Sequence, residues 1–268
     1  MLTLRNPDLV SLVRGFQQNH IDSDDYIHPC FFEWLISASQ STGADCAMCG
    51  FQTFEDISSI NDIFPENLDR SKIQTITLKA MFSDWKQYSI CTARIIKKSE
   101  IGDIRFSPDY PIGEDSLFTA ELCYTHPSIH FCFIPYNLYY YFQRSNSASK
   151  TNSESRRLNV YSLFLQRAGQ SEISDIIYLD QSIRGALNIR NVAAYIHPNA
   201  DIVSKCNTLL KTNVRKLIRS TIYSFPRKSL YLLSIYSTWF YRWYRYRRDP
   251  SLKRWEKVTL ESRKSNAS

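Results

Sequence analysis

Three features of the sequence predict an α/β fold. Phe31, Trp34, Leu35 and Ala38 recur at i, i+3, i+4 and i+7, which is one apolar face of a helix. Gly43 then ends that helix before a strand-like apolar run over 44–49. Ile129, Phe131 and Phe133 alternate with His130, Cys132 and Ile134, the period of a strand. A helix opened by an acidic loop and followed by a strand belongs to a sheet covered by helices.

The elements follow in order. Pro29 suits the first position of the helix carrying Phe31. Residues 52–75 are polar and irregular, with room for one short helix, and 73–85 reads as helical. Residues 101–106 lead into a loop, 107–113, that ends at Glu114-Asp115. Leu117, Phe118, Leu122 and Tyr124 then predict a helix of about three turns. A second extended run covers 138–143, and polar residues 144–155 close it. From Leu158 onward the pattern is helical with a break at Pro198. Residues 201–222 form a basic amphipathic helix. Beyond Pro226, a helix over 230–246 carries Leu233, Tyr236, Phe240 and Trp243 at heptad-like spacing. Its apolar stretch is too short to span a bilayer, which takes about 20 residues. An interfacial helix fits it better.

Of 268 residues, 43% are hydrophobic and 14% aromatic, enough for a packed core, so a disordered or fibrous chain is excluded. The net charge of +7 is unevenly spread. Residues 201–268 hold 16 Lys or Arg against 4 Asp or Glu, a balance of +12, while the first 200 residues balance at −5. A mildly acidic body with a basic tail predicts a polyanionic partner, a membrane or a nucleic acid. The seven cysteines are odd in number and sit in apolar segments, and 1–20 lacks a cationic start followed by an apolar core. A reducing, cytoplasmic compartment follows. Cys46-x-x-Cys49 has no second pair to complete a zinc site and reads as two buried thiols.

Two acidic motifs could carry chemistry. Asp22, Asp24 and Asp25 crowd one short loop, and closely spaced carboxylates supply hard oxygen ligands for Mg²⁺ or Mn²⁺. Such an ion offsets the charge on a diphosphate leaving group. Glu114-Asp115 could supply a base that takes a proton from an acceptor hydroxyl. Acidic residues at helix starts also serve simply as favourable charges on the helix dipole, and both readings stay open at this point.

The ordered series 21–29 (Ile-Asp-Ser-Asp-Asp-Tyr-Ile-His-Pro), 44–50 (Ala-Asp-Cys-Ala-Met-Cys-Gly), Ile104-Arg105-Phe106, Gly113-Glu114-Asp115 with Leu117-Phe118, and 139–149 resembles family-two glycosyltransferases of the GT-A fold, in the group that builds bacterial surface polysaccharides. The resemblance covers residues 20–150. It implies an incomplete GT-A (Rossmann-like) core followed by a helical basic C-terminal region. Residues 1–20 are then a diverged or truncated start, 21–155 the GT-A-like catalytic portion, and 156–268 the helical region with its basic aromatic tail. The resemblance further implies transfer with inversion from a nucleotide sugar, a UDP-sugar by preference, to a glycolipid or oligosaccharide acceptor of lipopolysaccharide or capsule. Asp22 and Asp24 would hold the ribose and the metal-bound diphosphate, Asp24 and Asp25 the Mn²⁺ or Mg²⁺. Asp115 would be the base and Glu114 its orienting neighbour, with Arg144, Ser147 and Ser149 on a loop near the diphosphate.

The sequence also departs from the family. The nucleobase-binding segments that usually precede the Asp-x-Asp are absent. Leu4-Arg5-Asn6 only faintly resembles an element expected there. An inactive, N-terminally truncated remnant is therefore an alternative expectation. Enzymes of this group act on lipid-linked acceptors, which implies a cytoplasmic protein peripheral on the inner face of the inner membrane. Its contact with anionic lipid would run through 230–254. A basic nucleic-acid-binding protein, with aromatic residues interleaved with Arg over 241–248, is the lesser alternative; because the acidic body carries no recognisable binding module, nucleic acid is not the expected partner.

Overall fold

The strands on either side of the helix that Gly43 ends join one sheet, and the helix packs on its face. The structure, a computed structural model, describes residues 16–18, 21, 24–56, 67–83, 92–110, 113–143 and 153–249. It divides into two compact units, Met1–Thr151 and Asn152–Ser268.

The first unit runs β1 (Phe16–Gln18), β2 (Tyr26–Ile27), α1 (Phe31–Thr42), β3 (Cys46–Phe54), a 3₁₀ turn (Arg70–Lys72), β4 (Gln74–Ile76), α2 (Leu78–Ser83), β5 (Arg94–Lys97), α3 (Lys98–Ile101), α4 (Glu114–Thr125) and β6 (Phe131–Phe142). The sheet order is β1-β5-β3-β6-β2. β3 and β6 are parallel and form its centre. β4 and β2 both pair antiparallel with the remaining edge of β6, β4 at Phe131–Phe133 and β2 at Tyr139–Tyr140. The expected helix over 73–85 is thus a strand followed by a short helix. The open half-edge of β6 supplies hydrogen bonds that outweigh the weak helical pattern of Gln74, Thr75 and Ile76.

Extended runs expected at 129–134 and 138–143 are one strand, β6, with an irregularity in its middle. Cys49 faces Ile134 and Gly50 faces Asn137, so β6 carries extra residues there. Pro135 lies in the irregular stretch, where its missing N–H removes a ladder donor. Gly50 makes the close approach possible, since a Cβ on it would sit 2.4 Å from Asn137 Oδ1 and 3.1 Å from the Tyr136 carbonyl oxygen.

Gly43 takes φ 71°, a left-handed stop for α1. The helix then lays Phe31, Trp34, Leu35 and Ala38 against Ala47, Cys49, Ile95, Cys132, Ile134, Leu138 and Tyr139. Full burial of a side chain such as Leu35 or Phe31 stabilises by about 1.5–3 kcal/mol. Cys46, Met48, Ile96, Phe131 and Phe133 are also buried and point to the opposite face, by the alternation of the pleat. Burial pushes the Cys46 thiol up to about 12, and Cys49 is raised by burial as well. Asp45 ties three strands at the foot of the sheet. It accepts from Lys97 Nζ at 2.8 Å and from the His130 N–H at 3.0 Å.

The second unit is helical throughout its described residues: α5 (Ser153–Arg167), α6 (Glu172–Ser174), a π-helical segment (Asp175–Leu179), α7 (Asp180–Tyr195), α8 (Ala200–Thr212), α9 (Val214–Arg219), α10 (Phe225–Tyr236) and α11 (Thr238–Arg248). α7 is its axis. Arg190, almost wholly buried, donates to Asn207 Oδ1 at 3.0 Å, to the Ile235 carbonyl at 2.6 Å and to the Ser234 carbonyl, fastening α8 and the end of α10 to α7. Asp180, also buried, meets Arg184 at 2.7 Å, Arg227 at 3.1 Å and the Tyr231 hydroxyl at 2.6 Å. Gly185 leaves room for Tyr161, whose ring would lie 2.2 Å from an added Cβ.

Two helices expected to be continuous are broken. Asn213 separates α8 from α9 within 201–222. Ser237, with extended backbone at φ −135° and ψ 107°, separates α10 from α11 within 230–246, and its hydroxyl caps α11 by accepting from Phe240 N at 3.1 Å.

Candidate active site

The C-terminal ends of the parallel strands β3 and β6 are where open α/β sheets bind ligands. One of the two acidic motifs is anchored there. Asp25 accepts from the Tyr139 hydroxyl at 2.5 Å through Oδ2 and from the Phe142 N–H at 2.8 Å through Oδ1. The following residues join the same strand: Tyr26 faces Tyr140, Ile27 faces Tyr139, and the His28 N–H donates to the Leu138 carbonyl at 2.9 Å. The Gln143 N–H closes the end by donating to the Phe54 carbonyl at 2.9 Å. Asp24 is therefore carried on a segment stitched to the last residues of β6. Both oxygens of Asp25, expected beside Asp24 as metal ligands, accept from β6 in this way. Asp22 lies outside the described residues.

Arg144, Ser147 and Ser149 also lie outside the described residues.

The second motif opens α4. Gly113, at φ 90° and ψ 11°, turns the chain into the helix with a left-handed conformation that costs glycine little. Glu114 and Asp115 occupy the first helical turn, both half-buried. Their charges sit favourably on the helix N-terminus, which accounts for two acids here even without chemistry. Leu117, Phe118, Ala120 and Leu122 are buried, and Phe118 stacks on Phe106 with ring centroids 4.6 Å apart and planes within 9°. Arg105 curls back on its own loop, donating to the carbonyls of Gly102 and Ile104. Within the Ile104-Arg105-Phe106 motif, Phe106 thus braces α4, while Arg105 is exposed.

α4 is the last helix before β6, and 126–130 join its C-terminus to the start of β6. Among the described residues, no group of three His, Cys, Asp or Glu side chains comes together. A magnesium-like ion needs less, since it commonly takes one or two carboxylates and completes its shell with phosphate oxygens and water. Asp24 fits that donor chemistry.

Sequence reasoning missed Tyr139 as the residue that fixes the acidic segment. Its signal was present, because a buried tyrosine hydroxyl almost always has a partner, but nothing in the sequence paired it with Asp25.

Comparison with solved structures places this fold. A crystal structure of S. aureus TarS residues 1–349 in complex with UDP-GlcNAc superimposes with a TM-score of 0.54 at 13% identity, over 97% of this chain and 71% of that one. A second crystal structure of TarS 1–349 gives a TM-score of 0.52 at 13% identity, over 97% and 70%. The chain shares the fold of these TarS crystal structures. No family model and no curated protein sequence matches the chain.

Proposed function

We propose that this protein transfers a sugar from a nucleotide-sugar donor, a UDP-sugar by preference, to an acceptor hydroxyl at the C-terminal end of β3 and β6. The observation that carries this reading is the anchoring of the Asp24–Asp25 segment to the end of β6, in a fold shared with a protein crystallised with UDP-GlcNAc.

In this reading the chain is of the GT-A type and inverts the anomeric centre in a single displacement. Asp22 and Asp24 bind the ribose and diphosphate, and Asp25 braces the neighbouring Asp24 through its two bonds to β6. Asp24 would hold Mn²⁺ or Mg²⁺, which when bound offsets the charge of the leaving diphosphate. Asp115 takes the proton of the acceptor hydroxyl as that oxygen attacks the anomeric carbon and the bond to the diphosphate breaks. Glu114 orients Asp115 or the acceptor, and Arg144, Ser147 and Ser149 contribute near the diphosphate. The acceptor is a lipid-linked sugar or oligosaccharide of surface-polysaccharide assembly, on the cytoplasmic face of the inner membrane.

The test is release of UDP by the full chain from UDP-GlcNAc and related UDP-sugars, with Mn²⁺ and a panel of glycolipid acceptors. Acceptor-dependent release that Asp115→Asn abolishes supports the reading. Absence of donor binding and of release across the panel overturns it.

A further inference from the structure

We propose that α10 and α11 form an interfacial docking surface for a bilayer rich in anionic phospholipid. α11 has two unlike sides. One is fixed to α7: Arg245 Nη1 donates to Asn188 Oδ1 at 2.6 Å, and the Arg242 guanidinium lies 4.2 Å from the centre of the Tyr195 ring. The other side exposes apolar rings to solvent. Trp239 is 67% exposed and Trp243 42%, and just across the Ser237 corner Tyr236 is 66% and Leu233 54% exposed. Folding of this unit leaves these four large side chains uncovered while burying most of its other apolar residues.

The charges around them choose the occupant. Neither α10 nor α11 contains an acidic residue; of their basic residues, Arg227 pairs with Asp180 and Arg242 and Arg245 face α7, which leaves Arg247 and Arg248 beside the exposed rings. Arg247 stands over the Trp243 ring at 5.3 Å and Arg248 over the Tyr244 ring at 6.0 Å. An indole with a guanidinium on its face suits the headgroup boundary, where the ring enters the acyl edge and the cation meets phosphate. A second copy of this surface would bring two cationic faces together, which disfavours self-association. Among the described residues no helix is long and apolar enough to cross a membrane, so the contact is made from one side. The inference stands apart from sugar transfer, because it concerns only where the helical unit binds.

Sedimentation of the full chain with vesicles of phosphatidylcholine alone and of phosphatidylcholine mixed with phosphatidylglycerol tests it. The expected result is pelleting with the mixed vesicles only, weakened by added salt, with a blue shift in tryptophan emission. Trp239→Ser with Trp243→Ser should lower partitioning by about tenfold or more at an unchanged melting temperature, since both residues are exposed. Arg247→Gln and Arg248→Gln should each lower it by about fivefold. Equal binding to both vesicles, no binding to either, or wild-type binding by the tryptophan variant overturns the proposal. So does a dimer that the tryptophan variant dissolves, or retention on a DNA duplex without vesicle binding.

Discussion

The Tyr139 hydroxyl and the Asp25 carboxylate meet at 2.5 Å, joining the acidic segment to the end of the central strand. Tyr139 has no exposed surface, so this contact is internal. Tyr139→Phe removes the donor and keeps the ring, which should cost about 1 kcal/mol of stability. The larger effect should fall on donor KM, because Asp24 loses the brace of the residue beside it. Equal donor saturation curves for wild type and variant would separate Tyr139 from the site.

Asp45 should make the first unit sensitive to acid. Burial alone would raise its carboxyl, but the bonds from Lys97 and from the His130 N–H, with the charges of both residues, hold it below the ordinary value. A depressed value means that its stabilisation is present above the unfolded-state value of about 3.9 and is lost as pH falls through the folded one. Denaturant unfolding of wild type and Asp45→Asn should differ at pH 7 and converge at about pH 3 or below. A gap independent of pH would contradict this role.

Two glycines are fixed by close contacts. Gly50→Ala would push a methyl against Asn137 and the Tyr136 carbonyl, and Gly185→Ala would push one into the Tyr161 ring. Each should cost about 1–3 kcal/mol, read as a lower denaturation midpoint. Gly43→Ala meets no atom within 4 Å and should cost only the strain of its positive φ. Similar losses at all three positions would show that the contacts at Gly50 and Gly185 are not what matters.

Asp115→Asn should lower turnover by about 10²–10⁴-fold while donor affinity changes little, because the proposed base acts on the acceptor. Acceptor-dependent turnover at the wild-type rate would remove Asp115 from the mechanism.

The legible parts of the fold were those where local pattern and tertiary packing agree. The apolar face of α1, its stop at Gly43, the strand after it and the helix after Gly113 could each be read from spacing, and each is there. β4 could not, because Gln74, Thr75 and Ile76 form a strand only through their pairing with Phe131–Phe133, more than 50 residues away. The breaks at Asn213 and Ser237 were hidden because neither residue is a strong helix breaker. At Ser237 the hydroxyl that caps α11 offers the backbone a local alternative to continuing the helix. Of the site, the acidic residues were legible as motifs. The bonds that orient them were not, since Tyr139 and Asp25 are 114 residues apart.

Calorimetric titration of a UDP-sugar into the full chain and into Asp24→Ala, with and without Mn²⁺, tests the proposed site most directly. Mn²⁺-dependent binding by the wild-type chain, lost in Asp24→Ala and kept in Asp115→Asn, is the expected result. Binding that is the same in Asp24→Ala as in wild type, or indifferent to the ion, would place the donor elsewhere or nowhere on this sheet.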